Sequence, residues 1–285
     1  MNDCPVCSSK NFKDFYNYGS HQLVTCLKCG LVYQPISIDH NEYSNNLVKE
    51  VYDENWVLLQ DQYKMDTFKH ASFSLNLLRA YLSSDSNILE IGSGTGEFLY
   101  LAQKYKYNIL GVEPSFTACT YAVEKYQVNI INAIGNLNNL KFDQQFDAIC
   151  FWHVLEHIPD PHTFLRAVKN HLKKDGLVFL SVLNLDSFTN QIYDTLSPLF
   201  SEHDHLLHFS ATTLKLLMNN YFKILSFFSL EEDKRLESDL NALSQVQLLR
   251  KPTDIIGWLD IKSQLECDNH GHELFCIAQV KTSAS

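Results

Sequence analysis

Between positions 88 and 96 the chain reads Ile88-Leu89-Glu90-Ile91-Gly92-Ser93-Gly94-Thr95-Gly96. A short apolar run of this kind is typical of a strand buried in a parallel sheet. The glycines that follow it at alternate positions allow a sharp turn and leave no side chain between the backbone and a ligand. Residues 97–102 then begin a predicted helix, whose free backbone N–H groups face the same place. The stretch therefore predicts an α/β fold with a small molecule bound on this turn.

The spacing of the glycines differs from that of two common nucleotide-binding loops. The dinucleotide fingerprint G-x-G-x-x-G needs its last glycine at position 97, which is Glu97. The phosphate-binding loop needs Gly-Lys-Ser/Thr, and residues 92–96 contain no lysine. Because Glu90 and Glu97 flank the turn, we expect a cationic ligand rather than an anionic phosphate.

A second apolar strand, residues 108–113, ends in Glu113 and Pro114. An acidic residue at the end of the second strand, about 20 residues after the glycine turn, accepts hydrogen bonds from ribose hydroxyls. Such an acid also serves NAD sites, so it is informative only together with the turn. Glu113 and the Gly-x-Gly-x-Gly turn together predict a ligand that contains a ribose.

The pattern Glu-x-Gly-x-Gly-x-Gly resembles the first motif of class I methyltransferases, which use the sulfonium cation S-adenosylmethionine (SAM). Two further stretches resemble this family, in particular its types 11 and 23. One is residues 146–158, which begin Phe-Asp and contain His-Val-Leu-Glu-His; the other is His-x-x-His-Phe-Ser at residues 205–210. The resemblance implies a doubly wound, seven-stranded Rossmann-like sheet whose last strand is antiparallel and lies beside the sixth.

The resemblance also implies which residues contact SAM. They are Glu90, Gly92, Ser93, Gly94, Gly96, Glu113, Pro114, Asn136, Leu137 and Trp152. Asn136 stands where the family commonly has an aspartate that accepts from the adenine amino group. An amide oxygen can accept the same bond, although a simple turn residue is the alternative. Trp152 is expected to form a wall against the adenine.

Histidines near the two later motifs are candidates for the general base, since imidazole titrates near neutral pH. The candidates are His157, His205 and His208. The alternative is that they only cap or shape their loops. His153 lies four residues before His157, a spacing that suits a metal pair on a helix, but no third ligand is apparent in the neighbouring sequence.

Four of the eight cysteines form two Cys-x-x-Cys pairs, Cys4 with Cys7 and Cys26 with Cys29. The pairs lie 18 residues apart, a spacing typical of a four-thiolate zinc site. Such a site is structural, because four thiolates leave no position open for substrate. Two disulfides are the alternative, disfavoured because no signal peptide is expected from the opening residues.

These patterns divide the chain into a zinc ribbon at residues 1–36, a linker and helical cap at 37–87, and a methyltransferase domain at 88–285. Within that domain we expect a substrate lid at 185–221 and an insert at 231–268. Periodicity predicts one helix over 60–82 and a strand over 128–133. It also predicts a helix over 162–174, capped at Gly176, and a strand over 177–183.

Composition narrows the function classes. The 285 residues have a formal net charge of −10, which argues against nucleic acid as the main partner. No run of apolar residues is long enough to span a membrane. We therefore expect a cytoplasmic protein with a small-molecule acceptor substrate and possible docking to a protein through the ribbon.

A zinc ribbon fused to a SAM methyltransferase resembles bacterial enzymes that modify sugars and polysaccharides. This implies methyl transfer to an oxygen or carbon of a nucleotide sugar, a surface-polysaccharide precursor or a secondary-metabolite precursor. One alternative is an inactive SAM-binding protein that uses the ribbon for docking. Another is an NAD-dependent oxidoreductase, which Glu97 disfavours.

Overall fold

The computed structural model describes residues 3–36, 46, 48, 50–133, 137, 140–245 and 255–281. The strands of this part of the chain are β1 (Phe12–Asn17), β2 (Gln22–Cys26), β3 (Val32–Tyr33), β4 (Asn87–Ile91), β5 (Asn108–Glu113), β6 (Ile130–Asn132), β7 (Phe146–Trp152), β8 (Leu172–Leu183), β9 (Leu207–His208), β10 (Phe222–Leu230) and β11 (Glu273–Val280). Its α-helices are α1 (Glu54–Gln62), α2 (Lys64–Arg79), α3 (Glu97–Lys104), α4 (Phe116–Tyr126), α5 (Pro161–His171), α6 (Phe188–Tyr193), α7 (Ala211–Met218), α8 (Asp233–Gln245) and α9 (Ile255–Cys267).

Seven strands form the central sheet, in the order β10-β11-β8-β7-β4-β5-β6. The neighbouring strands β8, β7, β4, β5 and β6 are parallel to one another. The strand β11 runs antiparallel to both of its neighbours, β8 and β10. The predicted seven-stranded α/β sheet is therefore confirmed, including its antiparallel last strand. Since parallel strands end at one edge, the segments after β4, β5 and β7 lie together.

Both faces of this sheet are covered, as the alternation along β7 shows. Ile149 and Phe151 belong to one buried apolar cluster, which also contains Leu165 of α5. Ala148 and Cys150 belong to the other, with Leu78 of α2. Because successive side chains of a strand point to opposite faces, helices pack on both sides of the sheet.

Two predicted helices have different bounds in the structure. The single helix expected over 60–82 is two helices, α1 and α2, and α1 begins earlier because the Asp53 carboxylate accepts from the backbone N–H of Trp56. The helix expected over 162–174 ends at His171, so the predicted cap at Gly176 is wrong. Residues 172–176 instead extend β8 along β7 with a register shift, and the Lys173 ammonium lies 2.8 Å from an Asp147 carboxylate oxygen.

A second, smaller sheet has the order β1-β2-β3-β9. Its first three strands come from the N-terminal segment, but β9 comes from the predicted lid. Val32 pairs with His208, Tyr33 pairs with Leu207, and the Gln34 N–H donates to the Leu206 carbonyl. The N-terminal segment is therefore joined to the rest of the chain through backbone hydrogen bonds.

Among the described helices, none has the length and apolar character that crossing a bilayer requires.

Candidate active site

The glycine turn follows β4, and all three of its glycines have left-handed backbone angles: φ is +72° at Gly92, +50° at Gly94 and +88° at Gly96. A Cβ at Gly92 would lie 2.4 Å from a Val154 methyl, and one at Gly96 would lie 2.8 Å from the Ala122 Cβ. A Cβ at Gly94 would meet only the Trp56 ring, at 3.5 Å. Packing therefore requires glycine at the first and third positions, whereas Gly94 leaves space for a ligand.

A cavity of about 1580 Å³ opens beside the turn, at the carboxyl ends of β4, β5 and β7. Ten of the residues predicted from sequence line it: Glu90, Gly92, Ser93, Gly94, Glu113, Pro114, Leu137, Trp152, His157 and His205. Gly96 is not on the cavity wall, and Asn136 lies outside the described residues. A small-molecule site occupies about 300–1,000 Å³, so this cavity has room for two ligands side by side.

Glu113 holds the glycine turn to the end of β5. One of its carboxylate oxygens accepts from the Gly94 N–H at 2.8 Å, and the other accepts from the Ser115 N–H at 2.8 Å. Burial raises the pKa of this carboxyl, and the two N–H donors partly offset the rise. Each oxygen has a second lone pair, so the residue can still accept hydrogen bonds from a bound ligand.

Glu90 is only 3% exposed, and its Oε2 atom has no hydrogen-bond partner within the described part of the chain. Burial raises the pKa of this carboxyl well above its usual range, and the neighbouring Glu97 and Glu113 add to the rise. By contrast, Glu97 accepts from the Thr95 hydroxyl at 2.7 Å. The carboxylate left unsatisfied on the cavity wall is therefore that of Glu90, and a cationic donor would satisfy it.

Trp152 lies at the end of β7, on the side of the cavity nearer β11. Its ring packs edge-on against Phe98, with centroids 5.7 Å apart, and contacts Phe275 at 6.3 Å. Leu137 lies after β6, the edge strand of the sheet on the other side of β4 and β5. Trp152, expected against the adenine, and Leu137, expected to contact SAM, thus lie beside different strands of the sheet.

His157 is fixed on the cavity wall by its Nδ1 atom, which donates to the Asp204 carbonyl at 2.9 Å. This bond leaves Nε2 as the basic nitrogen of the neutral ring. Burial lowers the pKa of His157, and the nearby His205 lowers it further. The ring is therefore neutral at pH 7 and able to accept a proton.

The other two candidate histidines have different positions. His205 lines the cavity with its ring centroid 4.8 Å from that of His157, and burial lowers its pKa. Its Nδ1 lies 3.2 Å from a Glu202 oxygen, but the atoms are not aligned as a hydrogen bond. His208 lies in β9, buried against Phe200 and away from the cavity wall.

Several wall residues were not assigned a role from sequence, because they are distant from the motifs along the chain. Trp56 of α1 and His70 of α2 line the cavity from the helical cap. Tyr52 is tied to the site by its carbonyl, which accepts from the Ser115 hydroxyl at 2.8 Å. Tyr52 is the exception, since the tyrosines at 43, 52 and 63 predict contact with the methionine end of the cofactor, with simple packing as the alternative.

The four N-terminal cysteines converge on one point. Sγ of Cys4 lies 3.6 Å from that of Cys29, and Sγ of Cys7 lies 3.5 Å from that of Cys26. These distances exclude disulfides, whose sulfurs are about 2.05 Å apart, and match the edges of a tetrahedron with Zn–S bonds of about 2.3 Å. Burial raises the pKa of Cys26, but the backbone N–H groups of Cys29 and Lys28 outweigh it and lower the pKa to about 7.

A parallel sheet with a glycine turn after its first strand, an acid after its second and a large cavity above both defines a class I methyltransferase. The family model described as a methyltransferase domain matches residues 63–224, more than half of the chain. The chain therefore belongs to this family of SAM-dependent methyltransferases.

Among curated relatives, the chain is 29% identical over 126 residues to a ubiquinone biosynthesis O-methyltransferase of Glaesserella parasuis. The match covers 39% of this chain and 53% of that enzyme, so it spans about half the length of the relative.

Two solved structures show the same fold. One is a phosphoethanolamine N-methyltransferase of Haemonchus contortus in complex with SAM, with a TM-score of 0.57 and 13% identity over 88% of this chain and 62% of that one. The other is a 1,6-didemethyltoxoflavin N1-methyltransferase of Burkholderia thailandensis with bound S-adenosylhomocysteine. Its TM-score is 0.53 and its identity 15%, over 95% of this chain and all of the other.

Proposed function

We propose that this protein transfers the methyl group of SAM to an oxygen or carbon of a small molecule. The observation that carries the proposal is the buried, unpartnered carboxylate oxygen of Glu90 beside an open glycine turn. A ligand with both a cationic group and a ribose satisfies Glu90 and Glu113 together. The residues present therefore fit SAM, which supplies an electrophilic methyl group when bound.

Different residues of the cavity wall contact different parts of SAM. Glu90 accepts from its ammonium group, and Glu113 accepts from its ribose hydroxyls. Gly92, Ser93 and Gly94 present backbone to the ligand, while Pro114, Asn136, Leu137 and Trp152 supply the surrounding contacts. Gly96 contributes by letting α3 pack on α4.

The acceptor occupies the remaining half of the cavity, against the segment 201–205 of the predicted lid. We assign the general base to His157, whose Nε2 would take the proton of the acceptor hydroxyl, while bound SAM would supply the methyl group and leave as S-adenosylhomocysteine. The Asp204 carbonyl on Nδ1 then stabilises the imidazolium. His205 contacts the acceptor from the next position, and most of the rate comes from the in-line alignment of the two ligands.

The acceptor class rests on two indications. The ribbon resembles those of enzymes that modify nucleotide sugars and precursors of surface polysaccharides or secondary metabolites. The curated relative is named for O-methyl transfer, which favours an oxygen acceptor over carbon. We therefore propose a hydroxylated small molecule, and a cytoplasmic location where SAM and nucleotide sugars are made.

We further propose that Cys4, Cys7, Cys26 and Cys29 bind one structural zinc ion. The support is the tetrahedral spacing of their sulfurs. On this view residues 1–36 form the zinc ribbon, 37–87 the linker and cap, and 88–285 the catalytic domain with its lid at 185–221 and insert at 231–268. The ribbon's exposed side remains available for docking to a protein.

The first test is calorimetric titration of the purified protein with SAM and, separately, with NAD. We expect SAM to bind in the micromolar range, about −8 kcal/mol, and NAD not to bind. NAD binding would contradict the proposal. If SAM binds but no hydroxylated acceptor is methylated, the inactive SAM-binding alternative is favoured.

The base assignment is tested by His157→Gln. We expect kcat to fall by about 10²–10⁴-fold, since a positioned base contributes that much, while the affinity for SAM is unchanged. Because the pKa of His157 is lowered, wild-type kcat/KM should be constant near neutral pH and fall only in more acidic solution. An unchanged kcat in the variant would assign the base elsewhere, with His205→Gln as the next substitution.

A further inference from the structure

A second group of possible metal ligands lies in the cavity, separate from the cysteines. His70 comes from α2, His153 follows β7, and Glu273 begins β11. One ligand atom from each lies within 4.8 Å of the others, and both histidines line the cavity. The sequence offered His153 no third ligand nearby, because its partners are more than 80 residues away in each direction.

The separations within this group match those of a metal site. Nε2 of His70 lies 3.2 Å from Oε2 of Glu273, and Nε2 of His153 lies 3.3 Å from the same oxygen. Bonds of about 2.0–2.2 Å from Zn²⁺ to imidazole and carboxylate place tetrahedral ligands about 3.3 Å apart. Two of the three separations thus equal those of ligands around one cation, and the two histidine nitrogens lie within 4.8 Å of each other.

The surroundings of His153 favour the same arrangement. Its other ring nitrogen, Nδ1, lies 3.3 Å from a carboxylate oxygen of Glu156, and a carboxylate behind a ligand histidine is a common way to orient the ring. Glu156 is buried, and neither of its oxygens makes a hydrogen bond within the described chain. His153 also has φ +53°, an uncommon value for a residue other than glycine, which the surrounding structure must hold in place.

We propose that His70, His153 and Glu273 bind one divalent transition-metal cation of the Zn²⁺ type. Three protein ligands leave a coordination position open, as in catalytic rather than structural zinc sites. Since both histidines line the cavity, that position takes an oxygen of the molecule bound there. The site does not depend on the proposed acceptor, because the metal ligands are all protein side chains.

The test is metal stoichiometry of the full-length protein. The protein is dialysed against Zn²⁺, and bound zinc is measured by mass spectrometry for wild type, His70→Ala and Glu273→Gln. We expect wild type to hold one ion more than either variant, while all three bind SAM equally. The matched control is His203→Ala, an exposed wall histidine outside the cluster, which should hold as much zinc as wild type. Glu156→Gln should weaken the affinity for the added ion by about 10–100-fold.

Equal zinc content in wild type and His70→Ala overturns the proposal and makes the cluster an ion pair between histidine and glutamate. Loss of the added ion in His205→Ala, but not in His70→Ala, also overturns it. That result would place the metal at Glu156, His157 and His205, whose ligand atoms also lie close together. SAM titration in the same samples separates these outcomes from failure of the proposed function and from misfolding.

Discussion

At the scale of single residues, the SAM site depends on backbone that side chains hold in place. Glu113 accepts from Gly94 and Ser115, so the carboxylate that we propose for the ribose also fixes the turn. A buried hydrogen-bond acceptor left without its donors destabilises the structure by about 1–3 kcal/mol, and so does a buried donor left without its acceptor. Substitutions here should therefore affect binding before they affect the fold.

Replacing Glu113 by alanine should weaken SAM binding by about 1–3 kcal/mol, because the ribose loses its charge-assisted hydrogen bonds and the turn loses its anchor. Calorimetric titration measures the change. Glu124→Ala, an exposed glutamate on α4, is the matched control and should bind SAM like wild type. Wild-type affinity in the Glu113 variant would place the ribose elsewhere.

Replacing Gly94 by valine should abolish SAM binding while the protein stays folded. The new Cβ meets only Trp56, and the left-handed angle adds strain of about 1–2 kcal/mol. Gly92→Ala should instead lower stability, because its Cβ would overlap the Val154 methyl. Thermal unfolding and SAM titration of both variants separate the two effects; a Gly94→Val protein that binds SAM normally would exclude this turn as the site.

At the scale of elements, the two-residue strand β9 connects the sheet of the ribbon to the wall of the cavity. It pairs with β3 of the ribbon on one side, and the preceding Leu206 N–H donates to the Glu156 carbonyl at 2.9 Å. The cavity residues Asp204 and His205 come directly before it. The position of the acceptor side of the cavity is therefore set by this short strand.

Burial lowers the pKa of His208 in β9 to about 3, against an ordinary value of 6.5. Below pH 6.5 this side chain binds a proton in the unfolded chain but not in the folded one. The free energy of unfolding is therefore retained above pH 6.5 and falls as the solution is acidified. At pH 5 the loss from this residue is about 2 kcal/mol. Urea unfolding at pH 7 and 5 should show a smaller decline in His208→Gln than in wild type.

The matched control for that measurement is His203→Gln, since His203 is an exposed histidine of the same segment. Its pH dependence should follow that of wild type. If His208→Gln also follows wild type, the acid sensitivity of the protein arises from other buried groups such as His272, whose pKa burial lowers to about 4.

At the scale of the whole molecule, the ribbon and the catalytic domain form one connected structure. The sulfur cluster fixes the end of β2, β2 pairs with β3, and β3 pairs with β9. The imidazole of His162 makes a second link between the two parts. Its Nε2 donates to the Val6 carbonyl at 3.0 Å, and its Nδ1 lies 2.7 Å from the Tyr221 hydroxyl. The zinc ion that we propose at the four cysteines should therefore influence the cavity wall next to β9, where we propose that the acceptor binds.

Disrupting the zinc site by Cys26→Ser should lower kcat/KM for the acceptor by about 10²-fold, because β9 loses its partner and the neighbouring cavity wall shifts. The affinity for SAM should change little, since its proposed contacts with the glycine turn and Glu113 lie at the ends of β4 and β5. Cys267→Ser, which removes an exposed cysteine, is the control. Equal losses of SAM affinity and acceptor turnover would mean that the ribbon supports the fold as a whole.

Much of the fold could be predicted because its signals are local. The bounds of β5 agree with the predicted strand, and the glycine turn after β4 agrees in every position. The end of α5 was mispredicted because Lys-Lys-Asp-Gly is also compatible with a strand. Pairing of Leu172 with the distant Phe146 of β7 decided that residues 172–176 extend β8.

The sequence alone determined the parallel sheet, the glycine turn, the acid after β5 and the two cysteine pairs, because each rests on residues close together in the chain. Only the tertiary structure decided that β9 completes the ribbon's sheet, that His157 lines the cavity while His208 does not, and that His70 and Glu273 meet His153. Those contacts join residues between 47 and about 200 positions apart, as in the bonds from His157 to Asp204 and from His70 to Glu273. No local pattern encodes such distances, since they follow from how helices and strands pack on the finished sheet.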